Sequence, residues 1–161
     1  MSYWTLRTKP TGPFQLASRA ASMLYRVHLG SLLGERFLTI SSRDRTTGLI
    51  RRTTVEIVEH DHETGEFIVC SGTGAQADWY LDLRAKPALV ITVGAVSWRP
   101  HQRLLDSYEA AERFHRYELA HPTTARALLH AFGRGYDGTP AGRVRLMDDL
   151  PIVAFSDRRG E

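Results

Sequence analysis

Apolar residues at Leu16, Ala20, Met23, Leu24 and Val27 fall three or four positions apart, with Arg19 and Arg26 on other faces. That spacing predicts an amphipathic helix over 14–29, flanked at its end by Gly30 and Gly34. Pro10, Gly12 and Pro13 leave residues 1–13 irregular. A β-rich run follows over 36–42, and the alternation over 52–59 predicts a strand. Its hairpin partner is 66–71, across a polar turn at 60–65 that ends in Gly65. Residues 78–85 read as a short helix closed by Lys86-Pro87, because proline ends helices. The run 88–93, then Gly94 and the alternating Val96, Trp98, Pro100, Gln102 and Leu104, predict another hairpin. Its second strand carries a proline and is expected to be an edge or to bend there. Asp106-Ser-Tyr-Glu109 matches a capping box opening a helix to about His121. A further helix follows Pro122, with Ala125, Leu128, Leu129 and Phe132 as its stripe and Gly133 as its stop. Residues 133–148 read as a basic, glycine-containing loop or broken helix, 150–156 as a last strand and 157–161 as a polar tail.

Short antiparallel strands with helices inserted, not alternating, imply an α+β domain on a small barrel-like sheet of about six strands. The 161 residues fit one domain, with an arm and helix over 1–33, barrel and inserted helices over 34–156, and the tail. Hydrophobic residues at 42% and charged residues at 24% exclude a disordered, fibrous or disulfide-framework protein. No apolar run approaches the ~18 residues of a membrane span. Residues 1–11 lack the apolar core of a secretory signal, so a cytoplasmic location is expected. Cys70, the single cysteine, cannot form an internal disulfide and sits in an apolar strand where inert burial is expected. The 14–29 helix could pack on its own core, on a partner or on a membrane surface, and the first is favoured for so short a stripe.

The net charge of +3 is too mild to imply nucleic acid, and none is expected as a partner. The distribution of charge is more informative. Of 21 lysines and arginines only Lys9 and Lys86 are lysine, and arginine makes rigid forked contacts to phosphates and carboxylates. From Arg36 to Arg52 there are five arginines and one acid, whereas Glu56 to Glu66 holds five acids and neither Lys nor Arg. Ser41, Ser42, Thr46, Thr47 and Gly48 accompany the basic loop. Hydroxyls and arginines donate to anionic oxygens and glycine lets the backbone approach, which suits a phosphate or polycarboxylate; the plainer reading is a solvated basic hairpin. Ser71-Gly-Thr-Gly-Ala75 is a second small-residue loop, and Trp79-Tyr80 beside it are either walls for a flat ligand or core aromatics. His60 and His62 could share a strand face, but their turn-like surroundings favour solvated side chains, so no metal is expected. No Gly-x-Ser-x-Gly elbow is present. Tyr117 and Tyr136 are the phenols able to donate a proton in a site, though a structural role suits either.

Several of these segments together resemble the deazaflavin-dependent nitroreductase family. The matching parts are Leu38-Thr39, Arg45-Thr46-Thr47-Gly48-Leu49-Ile50-Arg51-Arg52, Ser71-Gly72, Trp79-Tyr80-Leu81-Asp82-Leu83-Arg84-Ala85-Lys86-Pro87 and Leu150-Pro151-Ile152-Val153, spread over about 34–156. The Trp-Tyr segment is the most specific of them. The resemblance implies a split β-barrel that binds coenzyme F420, a two-electron hydride carrier with a phosphate and an oligoglutamate tail. By that resemblance Arg45, Thr47, Gly48, Arg51 and Arg52 hold the phosphate and tail carboxylates. Thr53, Thr54, Val55, Ser71, Gly72, Trp79 and Tyr80 border the ring or its linker, and Tyr136 is placed on the substrate side or in proton delivery. The implied activity is hydride transfer to a quinone, a nitroaromatic or another electron-poor unsaturated acceptor. Three departures stand out: Asp44-Arg45-Thr46-Thr47-Gly48 replaces a frequent Gly-Arg-Lys-Thr-Gly, Asp82 stands where Asn is usual, and no lysine follows Ser71. Two other functions stay open on the same fold, a non-catalytic binding protein for lipid or another apolar ligand and an FMN enzyme. Split barrels are often dimers, so a homodimer is open, as is peripheral membrane contact through 14–29.

Overall fold

The computed structural model describes residues 36–131 and 133–157. The expected helix over 14–29, the Phe132 end of its later counterpart and the last residues of the tail lie outside these. Among the described residues seven strands and four helices follow in the order β1 (Phe37–Arg43), β2 (Ile50–Asp61), β3 (Glu66–Cys70), α1 (Asp78–Ala85), β4 (Val90–Val93), β5 (Val96–Trp98), β6 (His101–Leu104), α2 (Ser107–Ala120), α3 (Pro122–Ala131), α4 (Pro140–Asp149) and β7 (Ile152–Ser156). All strand pairs are antiparallel, in the sheet order β5-β4-β1-β2-β3-β7-β6.

The seventh strand arises because the expected second strand over 96–104 is two. β5 pairs with β4, the chain turns at Arg99-Pro100, and β6 pairs with β7 at the opposite edge. Proline has no N–H for a ladder, so the strand divides where it stands. Gln102 then stitches the seam: its Oε1 accepts from the Ala88 N–H at 3.0 Å and its Nε2 donates to the Leu83 carbonyl at 3.0 Å. β2 is long enough to serve both halves of the sheet and changes register between Ile57 and Glu59, a bulge that curls it.

Alternation in the strands separates two cores. Phe67, Val69, Val153 and Phe155 join Leu38, Ile40, Ile91 and the α1 residues Trp79 and Leu83 inside the barrel. Ile68, Ile152 and Ala154 face the other way, onto Ala110, Phe114 and Tyr117 of α2 and Leu146 and Met147 of α4. The outer face of β1, β2, β4 and β5 instead carries a row of hydroxyls, Thr54, Thr39, Thr92 and Ser97, each the cross-strand partner of the next. Thr39 and Thr54 are hydrogen-bonded at 3.0 Å, and Thr92 and Ser97 at 2.8 Å.

The helix signals act largely as read. Asp106 caps α2, accepting from Tyr108 N–H at 3.0 Å and Glu109 N–H at 2.9 Å. Glu109 does not complete the box; its carboxylate binds Arg103. Gly133, at φ +65°, ends α3 with Gly133 N–H donating to His130 O and Arg134 N–H to Leu129 O, a Schellman closure. The stretch expected as loop or broken helix contains α4. Pro140 and Gly142 look like breakers in sequence, yet Pro140 occupies the first turn, where no N–H is needed, and Thr139 Oγ1 caps Gly142 N–H at 2.9 Å. Four of the five acids of 56–66 meet arginines: Arg36 reaches Glu56 at 3.4 Å, Arg103 grips Glu66 at 2.8 Å and Glu109 at 2.8 Å, and buried Arg113 reaches Asp61 at 2.8 Å and Glu59 at 3.3 Å. This network fastens α2 to the β2–β3 hairpin, and it holds the Asp61 carboxyl down at about 2, chiefly through Arg113.

Candidate functional site

The basic loop is the tip of the β1–β2 hairpin. Asp44 Oδ1 accepts from Thr46 N–H and Thr47 N–H, both at 2.8 Å, and Gly48 takes φ +73°, so the tip is a tight turn that favours glycine at that position. The Thr47 and Thr46 amides, with Arg51 beside them, lower the Asp44 carboxyl to about 2.

Strand alternation sends neighbouring arginines to opposite faces. Arg51, Thr53 and Val55 lie across from Ser42, Ile40 and Leu38, on the barrel side. Arg52 and Thr54 lie across from Ser41 and Thr39, on the outer side. Arg51 therefore points under α1, where its Nε donates to Asp82 Oδ2 at 2.9 Å and its Nη2 to Asp44. Arg45 joins it. Its backbone N–H and Nη1 donate to Asp82 Oδ1 at 3.0 and 2.9 Å, and its Nη2 to Asp78 Oδ1 at 3.1 Å. The Asp82 carboxylate first, then Asp78, raises the affinity of Arg45 for its proton. Asp82 is 0% exposed, so a buried carboxylate receives both guanidiniums and a main-chain amide. In the sequence Asp82 stands out only as a departure from Asn; its pairing with a loop 37 residues earlier is a tertiary fact. The available signal was Asp78 and Asp82, one helical turn apart on one face, downstream of an arginine-rich loop.

Other expected site residues fall into three groups. Trp79, 8% exposed, belongs to the barrel core, and Tyr80 packs beside it with ring centroids 6.1 Å apart. The Trp79 indole is therefore core material, and of the pair only half-buried Tyr80 is available to border a ligand. The Ser71 hydroxyl closes its own turn, donating to the Gly74 carbonyl at 2.6 Å, with Gly72 beside it half-buried. Thr54 is bonded to Thr39, while Arg52 and the Thr46 hydroxyl meet no partner among the described residues. Thr47 Oγ1 accepts from Leu49 N–H and keeps its own proton to donate.

Tyr136 is not brought to the hairpin. It packs on the helix-side core, its hydroxyl donating to Glu118 Oε1 at 2.5 Å with the Arg143 guanidinium 5.5 Å from its ring centre. Burial, then Glu118, raises its pKa and keeps the phenol protonated. It lines a cavity of about 510 Å³ with Pro122, Ala125, Leu129 and Arg134. Tyr117 is buried in the same core with its hydroxyl unpartnered among the described residues, and burial pushes it up to about 12. His60 stacks on Phe67 at 3.9 Å, an ordinary aromatic packing. Among the described residues no helix is long and apolar enough to cross a membrane.

The barrel, its helix-covered half and its hydroxyl-lined face define a class. Solved structures of this class include an F420-H2 dependent reductase (TM-score 0.51, 15% identity, 76% of this chain and 96% of that one). They also include a pyridoxamine 5'-phosphate oxidase-related, FMN-binding protein from Nostoc punctiforme (TM-score 0.51, 15% identity, 91% of this chain and 81% of that one). A structure described as a domain-swapped dimer is similar too (TM-score 0.52, 14% identity, 86% of this chain and 96% of that one). The fold is thus the split β-barrel, with helices inserted in an antiparallel α+β sheet. Residues 18–130 match the model of the F420H(2)-dependent quinone reductase family, and the chain belongs to that family. It is accordingly an F420-dependent reductase. No curated protein matches the chain in sequence.

Proposed function

We propose that the protein transfers a hydride from reduced F420 to a quinone or a similar electron-poor acceptor, holding the coenzyme at the β1–β2 hairpin. The observation that supports this is a set of donors on one hairpin that are unengaged among the described residues: the Arg52 guanidinium and the hydroxyls of Thr46 and Thr47, with a main chain left open at Gly48. These suit the phosphate and carboxylates of such a coenzyme, because anionic oxygens bind best to several converging donors. Bound there, F420 supplies the hydride chemistry. The chain's part is to bind and orient. Thr54 shares the outer face with Arg52 and sets the floor beside it, Thr53 and Val55 back that strand from the barrel side, and Gly72 and Tyr80 border the flat part. Tyr136, which lines a separate cavity on the helix side, has no part in this reading.

Titration of purified protein with F420, followed by its fluorescence, should give saturable binding at micromolar coenzyme. Reduced F420 should then be consumed on addition of a simple quinone such as menadione. Absence of saturable binding refutes the proposal, and a yellow protein with a flavin spectrum as purified would assign the site to FMN instead. Gel filtration coupled to light scattering reads whether the chain is a homodimer, which the split-barrel architecture allows.

A further inference from the structure

We propose that Asp82 divides the arginines of the hairpin into two pairs with separate duties. Arg45 and Arg51 are a charge-compensated clamp that positions the hairpin tip on α1. Arg43 and Arg52, on the outer face, read the anionic groups of the ligand. The second half of this inference rests on the function proposed above, whereas the first does not.

Both clamp guanidiniums are engaged by carboxylates. Arg45 directs Nη1 to Asp82 Oδ1 at 2.9 Å and to the Asp78 carbonyl at 3.3 Å, and Nη2 to Asp78 Oδ1 at 3.1 Å. Arg51 directs Nε to Asp82 Oδ2 at 2.9 Å and Nη2 to Asp44, with Nη1 3.9 Å from Asp78 Oδ2. Two guanidiniums thus face three carboxylates, a local excess of negative charge that repels a further anion. Asp82 is 0% exposed, so releasing either arginine to a surface ligand would leave a buried carboxylate short of partners, which is strongly unfavourable.

The other pair has the opposite character. Ser41 is the cross-strand partner of Arg52, and Arg43 lies two residues along β1 from Ser41. The three side chains therefore share the outer face, and Arg43 and Arg52 are diagonal neighbours within reach of one another's ligand. Arg43 makes a single hydrogen bond, from Nη1 to the Gly48 carbonyl at 3.1 Å. Arg52 and the Ser41 hydroxyl meet no partner among the described residues, and no carboxylate there pairs with either arginine. Two uncompensated guanidiniums flanking a hydroxyl make a fork for a phosphate or carboxylate.

The test separates the pairs. F420 titrations and apo thermal melts are run on Arg43→Gln, Arg52→Gln, Arg45→Gln and Asp78→Asn. Loss of a charged hydrogen bond predicts that Arg52→Gln and Arg43→Gln each weaken coenzyme binding about tenfold or more, with an unchanged apo melting temperature. Arg45→Gln should lower the apo melting temperature while affinity stays within about threefold. Asp78→Asn, at an exposed clamp position, should do the same more mildly and covers the case in which Arg45→Gln does not fold. Equal loss of affinity in Arg45→Gln and Arg52→Gln, or no loss in Arg52→Gln, overturns the division. If the parent protein binds no F420, the proposed function falls, and inorganic pyrophosphate decides the division alone. It should raise the melting temperature of the parent and of Arg45→Gln but not of the Arg43→Gln/Arg52→Gln double variant; no protection of the parent overturns the outer-face site.

Discussion

Replacing Asp82 by asparagine removes the negative charge on which the hairpin and α1 converge while keeping the side-chain volume. The retained oxygen can still accept from Arg45 at the position of Oδ1. The new amide, however, turns a donor toward Arg51 Nε, where Oδ2 now accepts at 2.9 Å. Breaking a buried ion pair costs about 3–5 kcal/mol when one partner is deleted. Here the two guanidiniums are each 34% exposed and keep Asp44 and Asp78, so the cost falls to or below the bottom of that range, about 2–3 kcal/mol. For a chain of this size each kcal/mol moves the melting temperature by about 2–4 °C, so a fall of about 5–10 °C is expected. Thermal melts by circular dichroism and a urea titration at neutral pH measure it. Coenzyme affinity should hold or rise a few-fold at low salt, because the cluster beneath the outer arginines loses one negative charge. A variant as stable as the parent, or one that loses coenzyme affinity with no change in stability, would show that Asp82 is not the anchor described.

Three further outcomes follow from the same geometry. Phe155, 0% exposed at the centre of the barrel core, should cost about 3–5 kcal/mol when replaced by alanine, read from denaturant midpoints. Asp44 and Asp61 both titrate near 2 in the folded protein, below their unfolded value near 3.8, so their contribution is complete above about pH 4 and is lost as pH falls toward 2. Asp61→Asn should flatten that acid limb of the stability profile; an unchanged slope contradicts the Arg113 pairing. The Cys70 thiol is pushed up to about 12 by burial and donates to the Leu150 carbonyl at 3.6 Å, so a thiol reagent at pH 8 should label it in urea and barely at all in buffer.

Much of the architecture was legible along the chain, and for a local reason. The strand over 52–59, apart from its bulge between Ile57 and Glu59, the Pro87 stop, the Asp106 cap and the Gly133 closure are each decided by residues a few positions apart, and each stands in the structure. The seventh strand and α4 were not. One depends on which edge the chain reaches after Pro100. The other depends on Thr139 and buried Gly142 fitting together, where an added Cβ would strike the Asp137 carboxylate. The candidate site divides the same way. That positive charge gathers at 43–52 is visible in the sequence; that half of it is cancelled is not, because the cancelling carboxylates arrive from residues 78 and 82.

The sequence by itself determined most of the strands and helices, α4 excepted, the basic hairpin and the family features that point to F420. Propensity, capping and alternation are short-range, so they survive without a fold. Only the tertiary structure decided which arginines remain free for a ligand, that Trp79 is core and that Tyr136 stands apart from the hairpin. Those are matters of which distant charges and surfaces meet, and they exist only once the sheet has curled and the helices have packed against it.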